Sequence, residues 1–180
     1  MNTIPVFAAR GRLAIAAALT LLWLPGCVAV SPDHELAAAA PSFSPEGFFA
    51  GKTAGSGTLR VVFSHSREVR VAGNGHVDND GTFVLTQTVM EGDKPARTRV
   101  WHLHRVGENR FTGTLTDAVG PVTGDAHGNL FHLRFRAKGG LRIEQWLYLQ
   151  PDSRTSLNRM VVRKFGIPVA ALSETIRRVP

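Results

Sequence analysis

The sequence predicts an all-β protein: an antiparallel, closed or nearly closed barrel of about 8–10 strands, lipocalin-like, with a β-sandwich as the alternative. Three observations carry this. Segments rich in β-branched and aromatic residues recur from about Gly55 to the C-terminus. Short Gly-, Asp- and Pro-containing turns separate them, so that neighbours pair antiparallel. Residues Asn129 to Ala137 alternate strictly, with Phe131, Leu133 and Phe135 on one face and His132, Arg134 and Arg136 on the other. No solenoid repeat and no long helical periodicity competes with this reading.

The elements follow in order. Pro45-Glu46-Gly47-Phe48-Phe49 is expected to form a helical turn that plugs one end of the barrel. Gly57 to Ser64 carries Leu59, Val61, Val62 and Phe63; Arg67 to Val77 carries Val69 and Val71. Asn79-Asp80-Gly81 is a hairpin signal. It leads into Thr82 to Met90, and Gly92-Asp93-Lys94-Pro95 makes the next turn. Thr98 to Val106 sets Trp101 and Leu103 against His102 and His104. Gly107-Glu108-Asn109 turns into Arg110 to Leu115, and a short strand is expected at Val122 to Ala126. After Asn129 to Ala137, Lys138-Gly139-Gly140 turns into Leu141 to Leu149, where both faces are partly apolar. Pro151-Asp152-Ser153 leads to Leu157 to Phe165, and Ala171 to Arg178 closes the chain. Closing the sheet removes edges that would otherwise aggregate.

The N-terminus predicts an address. Arg10 and Arg12 precede an apolar stretch from Leu13 to Leu24, and Leu24-Pro25-Gly26-Cys27 ends it. That stretch is about 12 residues long, as in an export signal, and short of the roughly 20 needed to span a bilayer. Its end resembles the lipobox of bacterial lipoproteins, which implies a signal peptide over 1–26 and lipidation of Cys27. Cys27 is the chain's single cysteine, so it has no partner for an intrachain disulfide, and acylation accounts for it. Val28 follows where an Asp would retain a lipoprotein at the inner membrane. The expected location is therefore the outer membrane, facing the periplasm. Residues 27–44, rich in Ala, Ser and Pro, read as lipidated Cys and flexible tether, and residues 45–180 as the barrel.

The chain carries a formal +7 at pH 7. Arg10 and Arg12 leave with the signal, which lowers the surplus by two. An exported protein meets no nucleic acid to speak of, so anionic lipid headgroups are the expected electrostatic neighbours.

Several pieces resemble the DUF3833 family of bacterial envelope lipoproteins. They are Phe48-Phe49-x-Gly51, Arg99-x-Trp101-x-Leu103, Phe111-Thr112-Gly113, Asp117-x-x-Gly120, Gly124 and Gly128-Asn129. Trp146-x-Tyr148-Leu149 and Asn158-Arg159 followed by Lys164-Phe165-Gly166 are the most specific. The resemblance spans roughly Phe48 to Ile176 and implies an envelope location and this fold, with no assigned chemistry. Glu144-Gln145 stands where the family favours an acidic pair, and Gln87 at another position with an acidic preference. Both departures argue against acid–base catalysis there.

Candidate sites are few. His102 and His104 share a strand face, but no third ligand is placed beside them, so no metal site is assigned. Ser64-His65-Ser66 is a local run and no Gly-x-Ser-x-Gly elbow occurs; hydrolysis is the weakest reading and no catalytic residue or cofactor is assigned. Glu144, Trp146 and Tyr148 share one strand face and are expected, with Asn158 of the next strand, to form a ligand-pocket wall or a buried polar network. The functional expectation is a membrane-anchored barrel that binds an apolar or amphipathic ligand such as a lipid. A structural or interaction lipoprotein with a filled core is the alternative.

Overall fold

The structure, a computed structural model, describes residues 32–180; Cys27 and the expected export signal over 1–26 lie outside them. Ten strands form one closed antiparallel barrel in which each strand pairs with the next in sequence and the last with the first. They are β1 (Gly51–Val61), β2 (Arg67–Val77), β3 (Phe83–Glu91), β4 (Arg97–Arg105), β5 (Arg110–Leu115), β6 (Val122–His127), β7 (Leu130–Ala137), β8 (Leu141–Leu149), β9 (Thr155–Lys164) and β10 (Ile167–Arg178). The sandwich alternative is thereby excluded. Closure runs through nine β1–β10 residue pairs, from Thr53↔Arg178 to Val61↔Ala170. β1 begins earlier than the β-branched residues suggest, because Gly51 to Gly57 pair with β2, and Thr53 to Gly57 also with β10, through backbone groups that need no side chain.

The predicted inward faces are observed. Trp101, Leu103, Phe131, Leu133 and Phe135 join Leu85, Ile143 and Leu147 in one buried cluster. His102, His104, Arg134 and Arg136 are exposed on the outside, and His132 is half-buried there. Helix α1 (Pro45–Phe49) plugs one end. Ser44 caps it, its hydroxyl accepting from Gly47 N at 3.1 Å, and Pro45 opens it. The plug's Phe48 and Phe49 meet edge to face with centroids 4.8 Å apart, and Phe43 stacks on Phe131 at 5.5 Å. Gly75 lies under the plug; a Cβ there would overlap the Phe49 carbonyl and meet the Phe83 ring at 2.8 Å.

One expectation is corrected. Residues 33–44 are not a free tether but a strap packed on the barrel. A 3-10 turn at His34–Leu36 starts it. Asn129, 4% exposed, then holds it: its side chain accepts from Ala38 N at 2.7 Å and donates to Leu36 O at 2.9 Å and Leu149 O at 3.0 Å. Asp33 N donates to the Tyr148 hydroxyl at 2.9 Å, and Phe43 N to Gly128 O at 2.8 Å. Composition hid this because Leu36 and Phe43 are the segment's only large apolar side chains, and one asparagine does the work of a strand partner. Among the described residues every buried hydrophobic side chain lies between Phe43 and Ile176, so residues 28–180 hold that whole core and are expected to fold without the residues before them.

Candidate ligand cavity

The up-and-down order puts the turns at 62–66, 92–96, 116–121, 138–140 and 165–166 at one end and α1 at the other. The turn end is open. A cavity of about 590 Å³ enters the barrel there, with Leu59, Val61, Leu115, Phe135, Met160 and Val162 on its walls. Its volume falls within the roughly 300–1,000 Å³ of small-molecule sites. Arg99 lines both this cavity and a smaller enclosed chamber of about 40 Å³ nearer the plug.

Around that chamber five strands each contribute one polar side chain: Gln87 of β3, Arg99 of β4, Gln145 of β8, Asn158 of β9 and Glu174 of β10. Each occupies an inward position in its strand's alternation. Gln87 Oε1 accepts from Arg99 Nε at 2.9 Å and from Trp101 Nε1 at 2.8 Å. Arg99 also lies over the Trp101 ring, 5.4 Å from its centroid. Asn158 Nδ2 donates to Glu174 Oε2 at 2.9 Å. Gly55 makes room for this carboxylate, since a Cβ there would overlap Glu174 Oε1.

Burial dominates the electrostatics. It pushes the Glu174 carboxyl above its ordinary value, against the opposing pull of the Asn158 bond and the Arg99 charge. Burial, with the nearby Arg97 charge, pulls Arg99 down to about 10, so its guanidinium stays charged at neutral pH. Among the described residues no protein acceptor takes a hydrogen bond from the terminal amino groups of Arg99. Gln145 Oε1 and Asn158 Oδ1 are buried acceptors without a donor. Since buried polar groups are normally paired, the chamber that shares Arg99 with the cavity has both donors and acceptors to offer a polar group.

The structure separates the four site residues expected from sequence. Asn158 faces the chamber. Glu144, Trp146 and Tyr148 do share a face, but it is the outer one. Glu144 pairs with Arg163 at 3.2 Å. Trp146 stacks on His132, centroids 5.1 Å apart. Tyr148 is buried with Val161 beneath Leu36 of the strap; that burial raises its phenol above the ordinary value. β8 is apolar on both faces because the strap covers one of them, so alternation could not tell inside from outside. The residues missed were Gln87, Arg99, Gln145 and Glu174. A usable signal existed for three of them: Gln87, Gln145 and Glu174 are polar breaks in alternating apolar rows, as in Leu85-x-Gln87-x-Val89 and Ile143-x-Gln145-x-Leu147. His102 and His104 point outward, His104 Nδ1 lying 3.2 Å from the Thr82 hydroxyl. No group of three metal-ligating side chains is gathered among the described residues.

A ten-stranded up-and-down barrel, open at one end and plugged at the other, defines a lipocalin-like protein. The chain belongs to the DUF3833 family, described as a protein of unknown function, which it matches over residues 21–178. No curated protein matches it. Among solved structures the barrel is similar to the S-type phycobiliprotein lyase CPES from Guillardia theta, with a TM-score of 0.61 and 11% identity, over 77% of this chain and 94% of that one. It is also similar to a protein of unknown function from the DUF3598 family of Nostoc punctiforme, with a TM-score of 0.58 and 14% identity. That match covers 78% of this chain and 51% of the other. At such identities the likeness concerns the fold.

Proposed function

We propose that this protein is a membrane-anchored lipoprotein of the bacterial envelope, facing the periplasm from the outer membrane, that holds an amphipathic molecule such as a lipid in its barrel. The observation that carries the reading is the open, apolar-walled cavity of about 590 Å³ with Arg99 at its inner end. Acyl chain against Leu59, Phe135, Met160 and Val162 would leave water, and the polar end would meet Arg99, Gln145, Asn158 and Glu174. A charged guanidinium with free donors suits a carboxylate or phosphate; the acceptors suit a hydroxyl or amide on the same headgroup. The likeness to a phycobiliprotein lyase is compatible with ligand binding. The lipobox-like Leu24-Pro25-Gly26-Cys27 supports the address.

The test uses residues 28–180 and a fluorescent fatty acid. Fluorescence should rise saturably on binding. Met160→Trp, which places a large ring in the cavity, should weaken binding at least about tenfold. Lipid extracted from protein purified from an envelope fraction should identify the natural occupant by mass spectrometry. Absence of both uptake and co-purifying lipid would favour the structural lipoprotein instead.

A further inference from the structure

The open end of the barrel carries features that ligand retention does not require. Phe63, in the β1–β2 turn, is fully exposed, Phe165 in the β9–β10 turn is 89% exposed and Ile167 65%. The two turns adjoin, since β1 pairs with β10 and Val62 N donates to Val169 O at 3.0 Å. Both phenylalanines have left-handed backbone, φ 58° at Phe63 and φ 52° at Phe165. A bulky residue there is a steric outlier, and Asn or Gly would fit at less cost. Two aromatic rings are thus held in strained turns, facing water, on the rim of an apolar cavity.

Beside them the outer wall is basic. Arg136, Arg142 and Arg163 stand directly opposite one another on β7, β8 and β9. Like charges in cross-strand pairs repel, and only Arg163 has a carboxylate, Glu144. Lys138, Lys164, Arg60, Arg136 and Arg142 have no ion-pair partner among the described residues. The acidic side chains at this end are otherwise engaged: Glu91 with Arg67 and Lys94, Asp117 with Arg97, Glu68 with Arg70. Asp93 alone is unpaired there among the described residues. The surplus is cationic and lies on the side where the phenylalanines are.

We infer that the open end docks onto an anionic phospholipid surface, with Phe63, Phe165 and Ile167 entering the headgroup–acyl boundary and the Arg136–Arg142–Arg163 row meeting phosphates. Exposed aromatics with surrounding cations are the combination that binds such an interface. Docked this way, the mouth opens onto acyl chains, and a lipid exchanges between bilayer and cavity without crossing water. The exchange of lipid with the cavity rests on the reading of the cavity as a lipid site, whereas the docking rests on the rim itself, and the two are tested separately.

The experiment sediments residues 28–180 with vesicles of phosphatidylglycerol and phosphatidylethanolamine, and with vesicles of phosphatidylcholine alone. Binding should favour the anionic vesicles and fall with added salt. Phe63→Asn combined with Phe165→Asn should cut it at least about tenfold, while relieving strain so that the thermal midpoint holds or rises. Arg136→Gln with Arg142→Gln should abolish the preference for anionic vesicles. No sedimentation with anionic vesicles, the result expected if the rim serves a protein, would overturn the inference. So would sedimentation unchanged in the Phe pair. Fatty-acid uptake from solution is measured in parallel. If uptake fails while vesicle binding behaves as expected, the cavity reading falls and the docking stands. Uptake retained without vesicle binding is the reverse.

Discussion

Asn129→Ala tests the strap most directly. The side chain makes three hydrogen bonds, two to the strap at Ala38 N and Leu36 O and one to the barrel at Leu149 O. A typical bond contributes about 0.5–1.5 kcal/mol net, so the loss should be about 3 kcal/mol, a large part of the roughly 5–15 kcal/mol of a domain. Part of that cost is local: freed of its clamp, the strap from Ala37 to Ala40 should become open to protease while the strands stay protected. Urea melts of residues 28–180, with and without the substitution, give the first quantity, and limited proteolysis the second. Asn129→Asp is the sharper variant. It keeps an acceptor for Ala38 N but turns oxygen towards two carbonyl oxygens, so it should cost at least as much as Ala. A change below about 0.5 kcal/mol in Asn129→Ala, with the strap still protected, would refute the claim that this residue holds it.

Phe131, 1% exposed, stacked on Phe43 and edge to face with Phe111, should cost about 3–5 kcal/mol when cut to Ala. Arg134→Ala, an exposed partner of Asp125, should cost no more than about 1 kcal/mol; equal losses in denaturant melts would contradict the inward and outward assignment of β7. Glu174 supplies a pH prediction. Its folded pKa is raised by burial, so the folded state holds its proton more tightly than the unfolded chain does. Its contribution is greatest below the ordinary carboxyl value and is lost as pH rises through the folded value. The thermal midpoint of the native chain should therefore fall relative to Glu174→Gln over that rise, and parallel profiles would count against it. Cys27→Ser in the full chain should abolish labelling by palmitate in a Gram-negative host; a variant that still labels would remove the lipid anchor from the proposal.

Much of the architecture is legible in the sequence. Turn chemistry marked the hairpins, and the Phe-x-Leu-x-Phe row of β7 marked the inside, because side chains on a strand repeat every two residues and local chemistry suffices to read them. The run from Pro45 to Phe49 marked the plug for an equally local reason. The proposed membrane address rests on a contiguous stretch of sequence ending at Cys27, and its experimental test needs no tertiary structure. What only the tertiary structure decided is non-local. Gln87, Arg99, Gln145, Asn158 and Glu174 come from five strands spread over 88 positions of the chain, and it is barrel closure and cross-strand register that bring them to one chamber. Alternation groups residues by face but does not say which face is inside when both are apolar. On β8 the strap supplied the second apolar environment, so Trp146 and Tyr148 lie on the outer wall and Gln145, between them, looks into the barrel.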